Sequence, residues 1–231
     1  MDTITGPARV CAALHDPVLE VPLAPPADDG IAWLRATVAR FSRGETHRRR
    51  RALAVDLLAR VDPAMLRTRA AARTKAPSGD ATRTVAVEVL AEALGLRVPA
   101  DAVATVGRGY HPHLDAGPET DAAVAQLVEA CGGNWDEPTA ARIGLLVQAC
   151  DATALLVDNA LRHNETSDPA ERIAGTLLAD PPVRLTRRVR ADGELVGLDL
   201  SELPFGAGPH ACPGQEHAIA IACGILDAAG A

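Results

Sequence analysis

Aromatic residues are scarce in this chain, which has two Trp, two Phe and one Tyr among 231 residues. Ala, Leu and Val supply most of the 48% hydrophobic content, a composition that favours helices over sheets and excludes disorder of the whole chain. Lysine is almost absent as well, with one Lys against 22 Arg. The net charge of −7 argues against a nucleic-acid-binding protein.

Membrane and disulfide signals are also lacking. No run of 18 apolar residues occurs, and the start, MDTITGPARV, lacks the basic and apolar segments of a signal peptide, so we expect a cytoplasmic protein without membrane contact. The five cysteines are an odd number without a C-x-x-C motif. This argues against a disulfide framework and favours buried free thiols for Cys11, Cys131, Cys150 and Cys223.

The hydrophobic spacing predicts a mostly α fold with a small β component, in one domain spanning residues 1–231. The expected helices are 31–70, with a break near Gly44 and a stop before Pro63, then 82–96, 122–133, 137–164 and 170–179. The expected loops are 75–82, 107–121 and 164–169. Alternating residues around an Asp-Gly turn predict one pair of strands within 183–200.

The most informative segment is ELPFGAGPHACPGQEHAIAIACGIL, residues 202–226. It places Cys212 in a Gly- and Pro-rich loop that leads into an apolar helix, whose N-terminus favours a thiolate. Three interpretations remain open from the residues alone. Cys212 could be a packing residue, a nucleophile with His210 or His217 as base, or a zinc ligand, although the spacing fits zinc poorly.

Four residues of this segment, Phe205, Gly208, Cys212 and Gly214, fit the pattern F-x-x-G-x-x-x-C-x-G. The segment resembles the haem-thiolate loop of the cytochrome P450 family. The resemblance implies haem b as cofactor, Cys212 as the axial iron ligand, and Phe205, Gly208, His210 and Gly214 as haem-binding residues.

Two further motifs of that family follow the same order. THRRRRAL contains His47 and Arg51 in an H-x-x-x-R pattern, one helical turn apart. PPVRLTRRV resembles the family's strand that carries Arg188. The resemblance implies that His47, Arg51, Arg188 and His210 bind the haem propionates. For the arginine run alone, a solvated basic face is the simpler interpretation.

The apolar stretch 137–164 resembles the family's buried I helix, which crosses the oxygen-binding face of haem. Aligned there, Gln148, Ala149, Asp151 and Ala152 occupy the A-G-x-[DE]-T motif. Ala152 replaces the alcohol, and Thr153 follows one residue later, rotated by about 100° around the helix. The resemblance implies Asp151, Gln148 and Thr153 as catalytic residues, with Ala149 and Ala152 against the haem.

Other features depart from the family pattern. The positions of its E-x-x-R pair are Gly175 and Leu178, and the segment before the cysteine loop is shortened. We therefore expect a truncated cytochrome P450-like fold with a buried I-type helix and a proximal cysteine loop. Its exposed former interior favours a homodimer.

The resulting functional hypothesis is a haem-thiolate, monooxygenase-like enzyme of secondary metabolism. It would act on a small apolar metabolite by oxidation or by a redox-neutral rearrangement or cyclisation at haem iron. The arginines at 48–51 would dock a ferredoxin-type electron donor. The alternative is a non-catalytic family member that folds or activates a biosynthetic enzyme. A metal site at the His-Pro-His sequence of residues 111–113 lacks a third ligand nearby.

Overall fold

The computed structural model describes residues 2–77, 79–162 and 166–230. Within these ranges lie ten α-helices, two 3-10 helices and three strands. The α-helices are α1 (Pro7–His15), α2 (Gly30–Thr37), α3 (Gly44–Leu58), α4 (Pro63–Arg73), α5 (Gly79–Ala93), α6 (Ala100–Arg108), α7 (Pro118–Cys131), α8 (Glu137–Arg162), α9 (Pro169–Ala179) and α10 (Gln215–Ala229). The strands are β1 (Asp2–Ile4), β2 (Leu185–Val189) and β3 (Leu195–Asp199), and the 3-10 helices are Ala39–Phe41 and Gly208–His210. The predicted fold class, mostly α with a small β component, is confirmed.

Helix α8 forms the centre of the main core. Its side chains Ile143, Leu146 and Val157 are fully buried, and it packs against α3, α5, α6, α7, α9 and α10. By length and composition α8 is apolar enough to cross a membrane, but 61% of its most apolar 18-residue window is buried inside the protein, as in a core helix. The predicted end of this helix at residue 164 lies outside the described residues.

Helices α4 and α10 cross at a single glycine. A Cβ atom on Gly224 would lie 2.2 Å from the carbonyl oxygen of Arg67 and 2.9 Å from the Cβ of Ala70, so only glycine permits this approach. One turn along, Arg67 donates to both carboxylate oxygens of Asp227, over 2.7 and 2.9 Å. These contacts fix α10, and with it the cysteine loop that precedes it.

The three strands form one small sheet in the order β1-β3-β2. Strands β2 and β3 are antiparallel, with Arg188 opposite Val196, and they are joined through the predicted turn, where Gly193 has a φ of +87°. Strand β1 adds to β3 in parallel, with Thr3 opposite Gly197. A second, smaller hydrophobic cluster lies between α1 and β3.

Several helix boundaries differ from the predicted ones. The predicted helix 31–43 ends at Thr37, because Val38 has an extended backbone, whereas the predicted break at Gly44 is confirmed by its φ of +54°. Helix α7 begins at Pro118, inside the predicted loop 107–121, because proline fits the first turn of a helix. Helix α5 likewise begins inside the predicted loop 75–82.

Candidate functional site

The loop before α10 is closed by its own backbone. The Cys212 N–H donates to the Phe205 carbonyl oxygen over 2.8 Å, and Gly206 and Gly208 take positive φ angles of +68° and +70°. A Cβ atom on Gly208 would lie 2.7 Å from the Leu14 carbonyl oxygen of α1. Two of the predicted loop residues therefore have clear local roles, since glycine is required at 208 and the Phe205 carbonyl anchors Cys212.

The thiol of Cys212 is exposed to solvent at the start of α10. Burial of its surroundings nevertheless raises its pKa above the ordinary value, against opposing effects of the Gly214 backbone N–H, Arg51 and Arg40. The backbone N–H at the start of α10 does favour the thiolate, but desolvation of the thiol outweighs this effect and that of the two arginines. Gly214 is the N-cap residue of α10, where a Cβ atom would contact Leu58 at 3.5 Å.

This raised pKa gives a pH-dependent prediction for alkylation of the haem-free protein. Iodoacetamide should react slowly with Cys212 at pH 7 despite its exposure, and about tenfold faster per pH unit until the pH passes the thiol pKa. Peptide mass spectrometry measures the rate, with buried Cys223 as the internal unreactive control. A rate that is already constant between pH 6 and 8 would contradict the raised pKa.

Two histidines from distant segments stack beside the loop. The rings of His47 on α3 and His210 lie 3.8 Å apart at 31°, and His47 is 4% exposed. Burial, followed by the nearby His47 and arginines, lowers the pKa of His210 to about 3. Burial and then Arg51 lower the pKa of His47. Both imidazoles are therefore neutral at pH 7.

Three arginines converge on the same place without a carboxylate partner among the described residues. Arg188 is 5% exposed and donates only to the Thr186 hydroxyl, over 3.3 Å, and to the Arg187 carbonyl, over 3.0 Å. Burial, followed by the charge of Arg40, lowers the pKa of Arg188 to about 10. Burial also lowers the pKa of Arg51, and the charge of Cys212 opposes this shift.

We call the five residues His47, Arg51, Arg188, His210 and Arg40 the cation cluster, after its three arginines; its two imidazoles are neutral. The sequence motifs indicated the first four, and the structure brings those four together. Arg40 was missed, because it lies outside every motif. Its guanidinium lies 5.9 Å from the Phe41 ring centre, and its charge acts on Cys212, His210 and Arg188.

A groove of about 400 Å³ opens beside the cluster, between α3 and the cysteine loop. Its lining includes His47, Arg51, Gly208 and Pro209, together with the half-exposed apolar side chain of Val55. Arg48, which is paired with Glu45, and the carboxylate of Asp56 also line the groove, so it carries charges of both signs, is partly apolar and is open to solvent on one side.

The predicted residues of α8 separate onto different faces of the helix. Gln148 is exposed, and Ala149 and Ala152 are half-buried, whereas Thr153 is 1% exposed and its hydroxyl has no partner among the described residues. Thr153 therefore lies on the core side of α8.

Asp151 is engaged in an ion pair between helices. Arg83 of α5 donates from Nε to Asp151 over 2.7 Å and from Nη1 to Asp80 over 2.9 Å. Among the described residues, no hydrogen bond or ion pair joins Gln148, Asp151 or Thr153 to the cysteine loop. Their catalytic roles remain predictions.

The arginines beside His47 are largely paired within the chain. Arg48 pairs with Glu45, and Arg49 and Arg50 each donate to Glu137 at the start of α8 over 2.8 Å. Hydrogen bonds from Arg49, together with Arg50, lower the pKa of Glu137 to about 2. The pairs therefore connect α3 to α8 over the whole physiological pH range, and they reduce the positive charge of this helix face.

The two E-x-x-R positions lie on the outer face of α9. Gly175 is exposed and has open space where a Cβ atom would stand, and Leu178 is 81% exposed. A buried ion pair has no place at these positions in this fold. The joint replacement therefore leaves no buried charge without a partner.

No protein family model and no curated protein matches the sequence. Solved cytochrome P450 structures do match its fold. A thermophilic cytochrome P450 from Sulfolobus tokodaii aligns with a TM-score of 0.73 and 15% identity, over 96% of this chain and 84% of that chain. P450 RauA, complexed with a biosynthetic intermediate of aurachin RE, aligns with a TM-score of 0.73 and 15% identity, over 99% and 83% of the two chains. CxnD, a cytochrome P450 for C–S bond formation in chuangxinmycin biosynthesis, aligns with a TM-score of 0.66 and 16% identity, over 97% of this chain and 78% of that chain.

The chain therefore has a cytochrome P450-like fold, as the motifs predicted, in fewer residues than typical cytochrome P450s. At these identities the likeness establishes the fold alone, and the chemistry has to be argued from the site.

Proposed function

We propose that this chain binds haem through Cys212 and is a cytochrome P450-like enzyme that acts on a small apolar metabolite. The observation that carries the proposal is the cation cluster beside Cys212. It holds a nearly fully buried Arg188 and two further arginines, none with a carboxylate partner among the described residues. A buried cation without a partner is costly, so the cluster is suited to an anionic ligand.

Haem fits this donor set. Its two propionates are carboxylates, which guanidinium groups bind strongly, often through two parallel hydrogen bonds. Arg51 and Arg188 would hold the propionates by charge, and the neutral imidazoles of His47 and His210 would donate N–H groups. Phe205, Gly208 and Gly214 shape the loop so that Cys212 is presented at the N-terminal end of α10.

Haem with a thiolate ligand supplies oxidation chemistry, since the thiolate donates electron density to the iron. Cys212 must lose its proton to serve as that ligand. Arg51, Arg40 and the Gly214 N–H all lower the thiol pKa, and they stabilise the thiolate once it forms.

On the α8 side, the chain offers few groups that move protons. Ala152 carries no hydroxyl and Thr153 lies in the core, which leaves Gln148 and the paired Asp151 as the polar side chains of this helix segment. Ala149 and Ala152 would leave room against the ligand. Because few groups can deliver protons, redox-neutral rearrangement or cyclisation is supported as strongly as monooxygenation.

A role in secondary metabolism is supported by structural neighbours. CxnD acts in chuangxinmycin biosynthesis, and RauA binds a biosynthetic intermediate.

We further propose a cytoplasmic protein. Since Arg48, Arg49 and Arg50 are paired, a ferredoxin-type donor would have to rely on the groove beside Arg51. We also propose that the chain forms a homodimer through the exposed face of α9 around Leu178.

The direct test of haem binding is titration of the purified chain with hemin. We expect one haem per chain, with a dissociation constant below about 1 μM, corresponding to about −8 kcal/mol. A paired His47→Ala and His210→Ala variant should bind more weakly. If the wild-type chain shows no saturable uptake, the enzyme proposal fails and a haem-free role as partner of a biosynthetic enzyme takes its place.

A further inference from the structure

The His-Pro-His sequence at residues 111–113 forms part of a turn beside strand β2. The Leu114 N–H donates to the His111 carbonyl oxygen over 2.9 Å and closes the turn. The rings of His111 and His113 lie 5.5 Å apart at 38°, and the His111 ring stands edge-on to Phe41 at 6.4 Å. The charges around this turn indicate what it binds.

Arg187 of β2 connects the turn to the sheet. Its Nη1 donates to Nδ1 of His113 over 2.8 Å. Because His113 accepts at Nδ1, its neutral ring carries the proton on Nε2, which is left to donate to a ligand. Arg187 has no carboxylate partner among the described residues, so the remaining N–H groups of its guanidinium are also left for a ligand.

Positive charge surrounds His111 as well. Burial, followed by the charges of Arg40, His113, Arg187 and Arg35, lowers the pKa of His111 to about 4. The guanidinium of Arg40 forms no hydrogen bond or ion pair with any described residue. An excess of positive charge at one place attracts an anion.

The carboxylates of the neighbouring segments do not neutralise this charge. Asp199 of β3 and Asp121 of α7 each accept a hydrogen bond from a backbone N–H over 2.9 Å, and the charge of Asp121 acts on Arg35. Asp115 and Glu119 are exposed and form no ion pair within the part of the chain that the structure describes. An anion that pairs with Arg187 therefore has to come from outside these segments.

The turn is held in place by Arg35 of α2. Arg35 donates to the carbonyl oxygens of Tyr110, His111 and Leu114 over 3.2, 3.0 and 3.1 Å, and also to that of Gly109. Several carbonyl acceptors on one charged donor restrict the backbone of the turn. The two imidazoles are therefore preorganised, which reduces the entropy lost when a ligand binds.

Apolar side chains accompany these polar groups. Leu185 lies two residues before Arg187 on β2, so both side chains point to the same face of the sheet. Leu114 belongs to the same turn as His113, and both leucines are exposed to solvent. A ligand with an apolar body would cover apolar surface here that the chain itself leaves exposed.

We propose that Arg187 and the Nε2–H of His113 bind the carboxylate of a small organic acid, with its apolar body against Leu185 and Leu114. A guanidinium binds a carboxylate through two parallel hydrogen bonds, and the charge of Arg40 adds to the attraction. Arg187 and Arg188 alternate along β2 and point to opposite faces, so this site is distinct from the one proposed for haem. The inference goes beyond the proposed function and does not require it.

The test is calorimetric titration of octanoate into the haem-free and the hemin-saturated chain. We expect a dissociation constant of about 1 mM or lower in both. Arg187→Gln should weaken binding at least tenfold. Octanamide has the same apolar body without the charge, and acetate has the charge without the apolar body, so each should bind at least tenfold more weakly than octanoate.

Histidine signals in the NMR spectrum of the haem-free chain locate the bound octanoate. The ring signals of His111 and His113, assigned with His111→Gln and His113→Gln, should shift on titration. Those of His15 on α1 should stay unchanged. This readout and the octanamide comparison use the wild-type chain, so they decide the question even if Arg187→Gln fails to fold.

Arg190→Gln is the matched control. Arg190 lies three residues after Arg187 and already has two carboxylate partners, Asp2 at 3.6 Å and Glu194 at 3.7 Å. Its replacement should leave octanoate binding unchanged. Melting temperatures without octanoate show whether either substitution affects the fold rather than the site.

The inference is overturned if octanoate does not bind the wild-type chain, or if octanamide or Arg187→Gln binds as tightly. It is also overturned if hemin abolishes octanoate binding, because octanoate then occupies the cation cluster. A chain that binds octanoate through Arg187 and takes up no hemin contradicts only the haem proposal. A chain that takes up hemin and does not bind octanoate contradicts only this inference.

Discussion

Replacing Arg188 by Met should stabilise the haem-free protein and weaken haem binding at the same time. Arg188 is 5% exposed, has no carboxylate partner among the described residues, and has a pKa lowered by burial to about 10. A pKa lowered to that extent corresponds to about 3 kcal/mol of lost stability at neutral pH. This penalty is fully present below pH 10 and disappears as the pH rises towards the unfolded-state pKa.

Methionine keeps much of the apolar volume of the arginine stem and removes the charge. We therefore expect Arg188→Met to raise the free energy of unfolding by about 1–3 kcal/mol in urea denaturation at pH 7. The same change removes a charged donor for a propionate, so the dissociation constant for hemin should rise about 10- to 100-fold.

The matched control is Arg187→Met. Arg187 is the neighbouring residue on β2 and points to the other face, where it contacts His113. This control should change both quantities little. Loss of stability in Arg188→Met would show that the guanidinium has a stabilising partner and would remove the main support for an anionic ligand.

Replacing Gly224 by Ala should be strongly destabilising. The added Cβ atom would stand 2.2 Å from the Arg67 carbonyl oxygen, and neither this backbone atom nor Ala70 can yield without separating α4 from α10. Overpacking of a fixed helix crossing costs about 1–3 kcal/mol, and more when backbone atoms collide. We expect a loss of about 3 kcal/mol or more, together with weaker haem binding, because α10 positions Cys212.

The same substitution on α9, Gly175→Ala, should change the stability in the opposite direction. Gly175 has open space around its Cβ position and a helical backbone, so alanine should raise the stability by about 0.5–1 kcal/mol. Thermal and urea unfolding of both variants measures the contrast. Equal effects at the two positions would contradict the close crossing at Gly224.

The sequence motifs indicated four of the five residues of the cation cluster, all except Arg40, from residue types at fixed spacing. His47 and Arg51 lie one helical turn apart, and His210 precedes Cys212 by two residues, so local pattern was sufficient to single them out. Arg188 required the neighbouring proline pair and strand as a guide. The structure brings all five together from three segments of the chain, although their roles towards haem remain proposals.

The features that sequence analysis missed depend on contacts between distant segments. Arg40 and Tyr110 belong to no motif. Only the folded chain shows that Arg40 lies over the Phe41 ring and that Tyr110 packs against Gly144 of α8. Strand β1 is three residues long and owes its pairing to β3, which leaves no periodic signal.

Some outcomes depend on burial, which the sequence does not show. The helix N-terminus lowers the pKa of Cys212, as expected, and so does Arg51, but desolvation of the thiol decides the direction of the shift. Thr153 was singled out because it follows the family's alcohol position by one residue; its side chain lies on the core side of α8, and its catalytic role stays a prediction.

The central claim is that Cys212 ligates haem iron as a thiolate. The most direct measurement is the visible spectrum of the hemin-loaded chain after reduction with dithionite and exposure to carbon monoxide, recorded beside Cys212→Ser. The account predicts the far-red-shifted Soret band of a thiolate–iron–carbon monoxide complex in the wild-type chain and its absence in the variant. The same spectrum in both proteins, or no haem spectrum from the wild-type chain, would contradict it.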